Sequence, residues 1–97
     1  MVEEQKVIRY RVVVRGRVQG VCFRYYAVDA AKKLDIRGWV RNLWSGEVEA
    51  LVEGKEPQAQ QMLNWLREGP PMAHVTNVKV TEEPVRKGEF QDFTVTY

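Results

Sequence analysis

From Val7 to Val14 hydrophobic and polar positions alternate, with Ile8, Tyr10, Val12 and Val14 on one face and Arg9 and Arg11 on the other. A period of two predicts a half-buried strand. The period then lengthens: Phe23, Ala27, Ala30, Ala31 and Leu34 recur at helical spacing, with Lys32 and Lys33 turned outward, which predicts a first helix. "IRGWVRNL" and "EVEALVE" are runs of β-formers joined by "WSG". They predict a hairpin from Gly38 to Glu53 with Ser45 and Gly46 in its turn. Pro57 suits a first helical turn, the stripe Ala59, Met62, Leu63 and Leu66 is amphipathic, and Gly69 before Pro70 and Pro71 supplies a stop, so a second helix follows. "HVTNVKVTEE" and "FQDFTVTY" read as strands, connected by "PVRKGE"; in the second, Phe93, Val95 and Tyr97 alternate with Thr94 and Thr96.

The order β-α-β-β-α-β with a short extra C-terminal strand predicts an α/β (α+β) sandwich of the ferredoxin-like, split βαβ plan, an antiparallel sheet with two helices on one face. The 97 residues suffice for one two-layer core, so residues 1–97 are expected to form a single domain. That plan hosts RNA-binding modules, metabolite sensors and enzymes alike, so function must come from a site.

Composition narrows the classes. No apolar run is long enough to span a bilayer. The chain starts with acidic residues, Glu3 and Glu4, ahead of a short apolar run broken by arginines, the wrong order for a secretory signal, so a cytoplasmic address is expected. Cys22 is the only cysteine and His74 the only histidine, which leaves no internal disulfide and no cysteine/histidine zinc cluster. The net charge of +2 is unevenly spread: residues 1–41 hold ten Lys/Arg against four Asp/Glu, and residues 42–97 hold five against nine. A local anion site fits this better than a general basic coat.

The positive stretch contains "GRVQGVCFR", Gly16 to Arg24, where a strand must turn tightly into a helix. Gly16 and Gly20 relax the limits on φ, so consecutive amides can point inward, and with the helix N-terminus they form an anion cradle. Arg24 stands where the helix dipole disfavours a cation, unless an anion is bound. The same glycine spacing also fits an ordinary turn with a solvated arginine. Nucleotide motifs are excluded: Val21 and Cys22 follow Gly20 where a Walker loop needs Lys-Ser or Lys-Thr, and the third glycine of a dinucleotide fingerprint is missing. Cys22 is separated from Arg24 by Phe23 alone, too close for the cysteine-dependent phosphatase arrangement, and is expected to be a small packed residue. His74 has no acidic or cysteine companion and is expected at the surface or as a cap. Glu47 and Glu49 read as a solvated sheet face.

"GRVQGVCFR" (Gly16 to Arg24), "GWVRN" (Gly38 to Asn42), a glycine turn with "VEALVEG", then "GPP" and the final "F-x-V-x-Y" closely resemble the acylphosphatase family over nearly the whole chain. The resemblance implies an enzyme that hydrolyses the carboxyl–phosphate bond of acyl phosphates without metal or cofactor. It implies that Arg24 holds the phosphate, that the amides of Gln19, Gly20, Val21, Cys22 and Phe23 surround its oxygens, and that Asn42 positions the attacking water. Ser45 stands where many relatives have aspartate, and Trp44 is bulkier than the residue often found there, which leaves substrate preference open. The expected partners are a small acyl phosphate and inorganic phosphate as product and competitor, with no nucleic acid, no membrane and a monomeric state. A non-catalytic acyl- or carbamoyl-phosphate or RNA-binding module is the alternative. "RGWV" reproduces only the first residues of an RNA-recognition signature before Arg41 and Asn42 break it.

Overall fold

A computed structural model describes residues 6–97; the acidic start with Glu3 and Glu4 lies outside the described residues. The elements are β1 (Val7–Arg17), α1 (Phe23–Lys33), β2 (Arg37–Asn42), β3 (Val48–Lys55), α2 (Glu56–Glu68), β4 (His74–Glu83) and β5 (Phe93–Val95). They form one five-stranded sheet in the order β4-β1-β3-β2-β5. β1 is longer than its alternation predicts, because a register shift at Arg15/Gly16 lets it continue beside β4 to Arg17. The even residues of β1, the apolar residues of β3 and the stripes of α1 and α2 close a single core, in which Val12, Val14, Val48, Val52, Ala27 and Met62 are fully buried.

Strand direction determines what meets at each end. β1 is antiparallel to β3 and β3 to β2, so β1 and β2 run the same way although β3 separates them. The expectation of an antiparallel sheet holds for four strands. β5 departs from it and lies parallel to β2, because the chain reverses after β4 and crosses to the far edge. The C-terminal ends of β1, β2 and β5 therefore share one end of the sheet. An amide–carbonyl bond from Thr96 to Val40 (2.9 Å) carries that last pairing past β5.

The face away from the helices is not the solvated surface that Glu47 and Glu49 suggested. The 84–92 segment lies against it, with the Phe90 ring 4.9 Å from the Arg9 guanidinium and Glu89 bound to Arg9 at 3.0 Å. Beneath it, Arg9 and Glu53 are 4% and 2% exposed and joined at 2.7 Å. Glu49 is buried between Arg11 (3.2 Å) and Arg41 (2.6 Å), and both guanidinium groups lie over Trp39. A buried carboxylate needs a cation, so these cross-strand pairs occupy the arginines that an RNA-binding surface would have used.

Candidate active site

The loop between β1 and α1 is shaped by two close constraints. Gly16 has φ 125°, and a Cβ there would stand 2.1 Å from the carbonyl oxygen of His74, so only glycine lets β1 pass this close to the start of β4. Further on, φ is left-handed at Gly20 (74°) and Cys22 (60°) but not at Val21 between them. Alternation of hand turns successive N–H groups toward one side, the arrangement of an anion-binding nest. Among the described residues the N–H groups of Gln19 to Arg24 find no backbone or side-chain acceptor. Cys22 caps α1 without a side-chain hydrogen bond, and the first turn has no acidic residue, so the positive end of the helix dipole stays uncompensated.

Cys22 is exposed. The expectation of a packed thiol fails because the left-handed cap directs its side chain outward. Phe23, one residue on, takes the buried position and meets Trp65 edge-on at 5.5 Å. Val21 packs toward the core, so of the predicted loop residues Gln19, Gly20, Cys22 and Phe23 line the cleft and Val21 does not. Arg24, the second residue of α1, is half-buried and has no carboxylate partner among the described residues; its guanidinium lies 5.4 Å from the centre of the Tyr97 ring.

Asn42 ends β2 opposite Val48, and the turn after it is closed by Leu43 N–H to Glu47 carbonyl (2.8 Å) and Gly46 N–H to Leu43 carbonyl (3.1 Å). The Gln19 carboxamide donates to both of those carbonyls, Leu43 and Glu47, at 2.8 Å each. It fastens the amide loop to the hairpin that carries Asn42. Sequence reasoning missed this: Gln19 was expected to contribute only its backbone, and no local pattern reveals where its side chain reaches. At the tip, the Ser45 hydroxyl donates to Glu47 at 2.7 Å and Arg15 pairs with the same carboxylate, so Glu47 titrates below the ordinary carboxylate value. Trp44 is fully exposed.

These parts enclose a two-lobed cleft. One lobe, about 380 Å³, is lined by the loop residues together with Arg24 and Asn42. The other, about 420 Å³, is lined by Leu43, Trp44 and Thr96, and both lobes share Gln19, Arg24, Asn42 and Tyr97. The two residues singled out in separate motifs thus face one space. His74 lies outside this lining, exposed at the start of β4.

The acylphosphatase family model matches residues 10–95. An acylphosphatase of Syntrophobacter fumaroxidans is 49% identical over 89 residues, 92% of this chain and 91% of that protein. One of Burkholderia mallei is 50% identical over 84 residues, covering 87% and 86%. Among solved structures, an acylphosphatase from Bacillus subtilis superposes with a TM-score of 0.88 at 40% identity, covering 93% of this chain and 99% of that one.

Proposed function

The chain belongs to the acylphosphatase family and hydrolyses acyl phosphates; on that premise we propose that the Gln19–Phe23 amides and Arg24 hold the phosphoryl group while Asn42 positions the attacking water. The observation that carries this reading is the position of Arg24. Among the described residues it is a guanidinium without a carboxylate partner, in the first turn of a helix whose N-terminal amides are also unpartnered. A phosphate dianion satisfies both at once.

The chemistry asks for little else. The leaving group is a carboxylate whose conjugate acid has a pKa of about 4, so it departs without a donated proton. Water forms a new P–O bond as the bond to the carboxylate oxygen breaks, and the equatorial oxygens gather the charge that the amides and the guanidinium stabilise. The Asn42 carboxamide can accept from and donate to the water but cannot ionise it. Neither motif offers a base, so the proton passes to a phosphoryl oxygen of the substrate. A pH–rate profile that requires an enzyme group titrating near 7 excludes this route. The same proposal takes residues 1–97 as one domain, acting as a cytoplasmic monomer on a small substrate and binding neither nucleic acid nor membrane.

Benzoyl phosphate hydrolysis by the parent, Arg24→Ala, Arg24→Lys and Asn42→Ala tests the assignments. Loss of one preorganised donor costs about 3 kcal/mol. Both alanine variants should therefore lose more than about a hundredfold in kcat/KM, with Arg24→Ala also raising KM and Asn42→Ala acting on kcat. Arg24→Lys keeps the charge without the planar fork and should recover little. Inorganic phosphate should compete, and a chelator should leave the rate unchanged. Normal turnover by Asn42→Ala removes its role even though the family stands.

A further inference from the structure

We infer that the lobe walled by Trp44 and Tyr97 is the acyl-group subsite and that it selects flat, apolar, uncharged acyl groups. The inference rests on the proposed seating of the phosphoryl group among the loop amides. With phosphorus there, the acyl carbon is one bridging oxygen away and must leave past Arg24 and Asn42. Those residues are shared by both lobes, so the acyl group enters the second one.

Three features of that lobe define what it accepts. Its size, about 420 Å³, suits a small organic group rather than a macromolecule. Its walls include two aromatic rings, and that of Trp44 is 107% exposed, so the indole has no packing duty in the fold. The turn bonds at Leu43 and the Gln19 clamp hold the backbone that presents it, and the free indole face is an apolar surface suited to stacking. Arg24 is the only charged side chain in its lining among the described residues, and the phosphate already engages it. The nearby Glu47 carboxylate is held by Ser45 and Arg15. A second carboxylate on the acyl group would meet no further cation in that lining among the described residues, whereas an apolar acyl group gains the ring surfaces.

The test compares kcat/KM for benzoyl, acetyl and succinyl phosphate in the parent, Trp44→Ala and Trp44→Phe, with calorimetric binding of phenylphosphonate and methylphosphonate to each. The parent should rank benzoyl above acetyl above succinyl. Trp44→Ala should lower the benzoyl-to-acetyl ratio about tenfold, lower the phenyl-to-methyl binding ratio similarly, and Trp44→Phe should keep most of both. A parent that favours acetyl or succinyl phosphate, or ratios that Trp44→Ala leaves within twofold, overturns the subsite. Equal loss on all three substrates also overturns it while the phosphate assignment stands. A parent that hydrolyses none of the three removes that assignment, and the subsite with it.

Discussion

Replacement of Gln19 tests how far the site depends on a contact outside its chemistry. Gln19→Ala removes two hydrogen bonds of 2.8 Å, each worth about 1 kcal/mol net. Neither acceptor is orphaned, since the Leu43 carbonyl keeps the Gly46 N–H and the Glu47 carbonyl keeps the Leu43 N–H. The added penalty for a buried unsatisfied group therefore does not apply, and the loss should be about 2 kcal/mol, a fall in Tm of roughly 10 °C for a domain of this size. Activity should suffer more than stability. The clamp sets the separation of the amide loop from Asn42, and a displacement of about 1 Å in reacting groups costs roughly a hundredfold. Gln19→Glu sharpens the test: a carboxylate of the same shape would place oxygens against two carbonyl oxygens with nothing to donate, and should be worse than alanine on both counts. Urea denaturation and kcat for benzoyl phosphate, read in parallel on the three proteins, decide it. A Gln19→Ala protein with the parental midpoint and kcat, or a Gln19→Glu protein as active as the parent, refutes the clamp.

Glu53→Gln removes one of the two carboxylates that neutralise Arg9 in the covered sheet face and leaves Glu89 as the other. Burial works against the Arg9 cation, and the hydrogen bonds from it to Glu53 and Glu89 more than offset this and raise its pKa. Breaking a buried pair from one side costs about 3–5 kcal/mol when the charge left behind is uncompensated, and less here because Glu89 still meets Arg9; the urea midpoint should drop with m unchanged, and a loss below about 1 kcal/mol contradicts the burial argument. Because Glu53 pairs with Arg9 near the start of β1 and with Arg37 at the start of β2, at the end of the sheet opposite the cleft, kcat under native conditions should stay parental. Acid should also weaken the fold through Glu83, whose pKa the hydrogen bond from Arg11 holds below the ordinary 4.5 against the opposing effect of burial. A depressed carboxylate contributes stability above its unfolded value and loses it as pH falls through the folded one. Denaturation midpoints should therefore decline below about pH 4.5, less steeply in Glu83→Gln, and parallel profiles exclude Glu83 as a source.

Much of this molecule follows from local pattern. The period-two run into β1, the stripes of α1 and α2 and the hairpin around Ser45 and Gly46 each reflect side chains that must turn one face to a core, a requirement that acts over neighbouring residues. Gly16 and Gly20 were legible for the same reason, since a left-handed φ is a local demand that glycine meets. Arg24 and Asn42 could be named because two separate motifs matched a family pattern; glycine spacing alone also fits an ordinary turn with a solvated arginine. The mixed pairing of β5, the burial of Arg9, Glu49 and Glu53, the exposure of Cys22 and the reach of Gln19 were not legible. Apart from the exposure of Cys22, which comes with its left-handed backbone, each depends on which distant segment arrives alongside.

What the chain determined by itself was its elements, their order and the presence of an amide-rich turn next to an arginine, because these arise from sterics and amphipathicity within a few residues. The tertiary structure decided that β1, β2 and β5 point the same way, and only that direction brings Arg24, Asn42, Trp44 and Tyr97 to one cleft. The physical reason is that strand polarity is set by hydrogen-bonded neighbours far apart along the chain. A site assembled from strand ends thus takes shape only when the sheet closes.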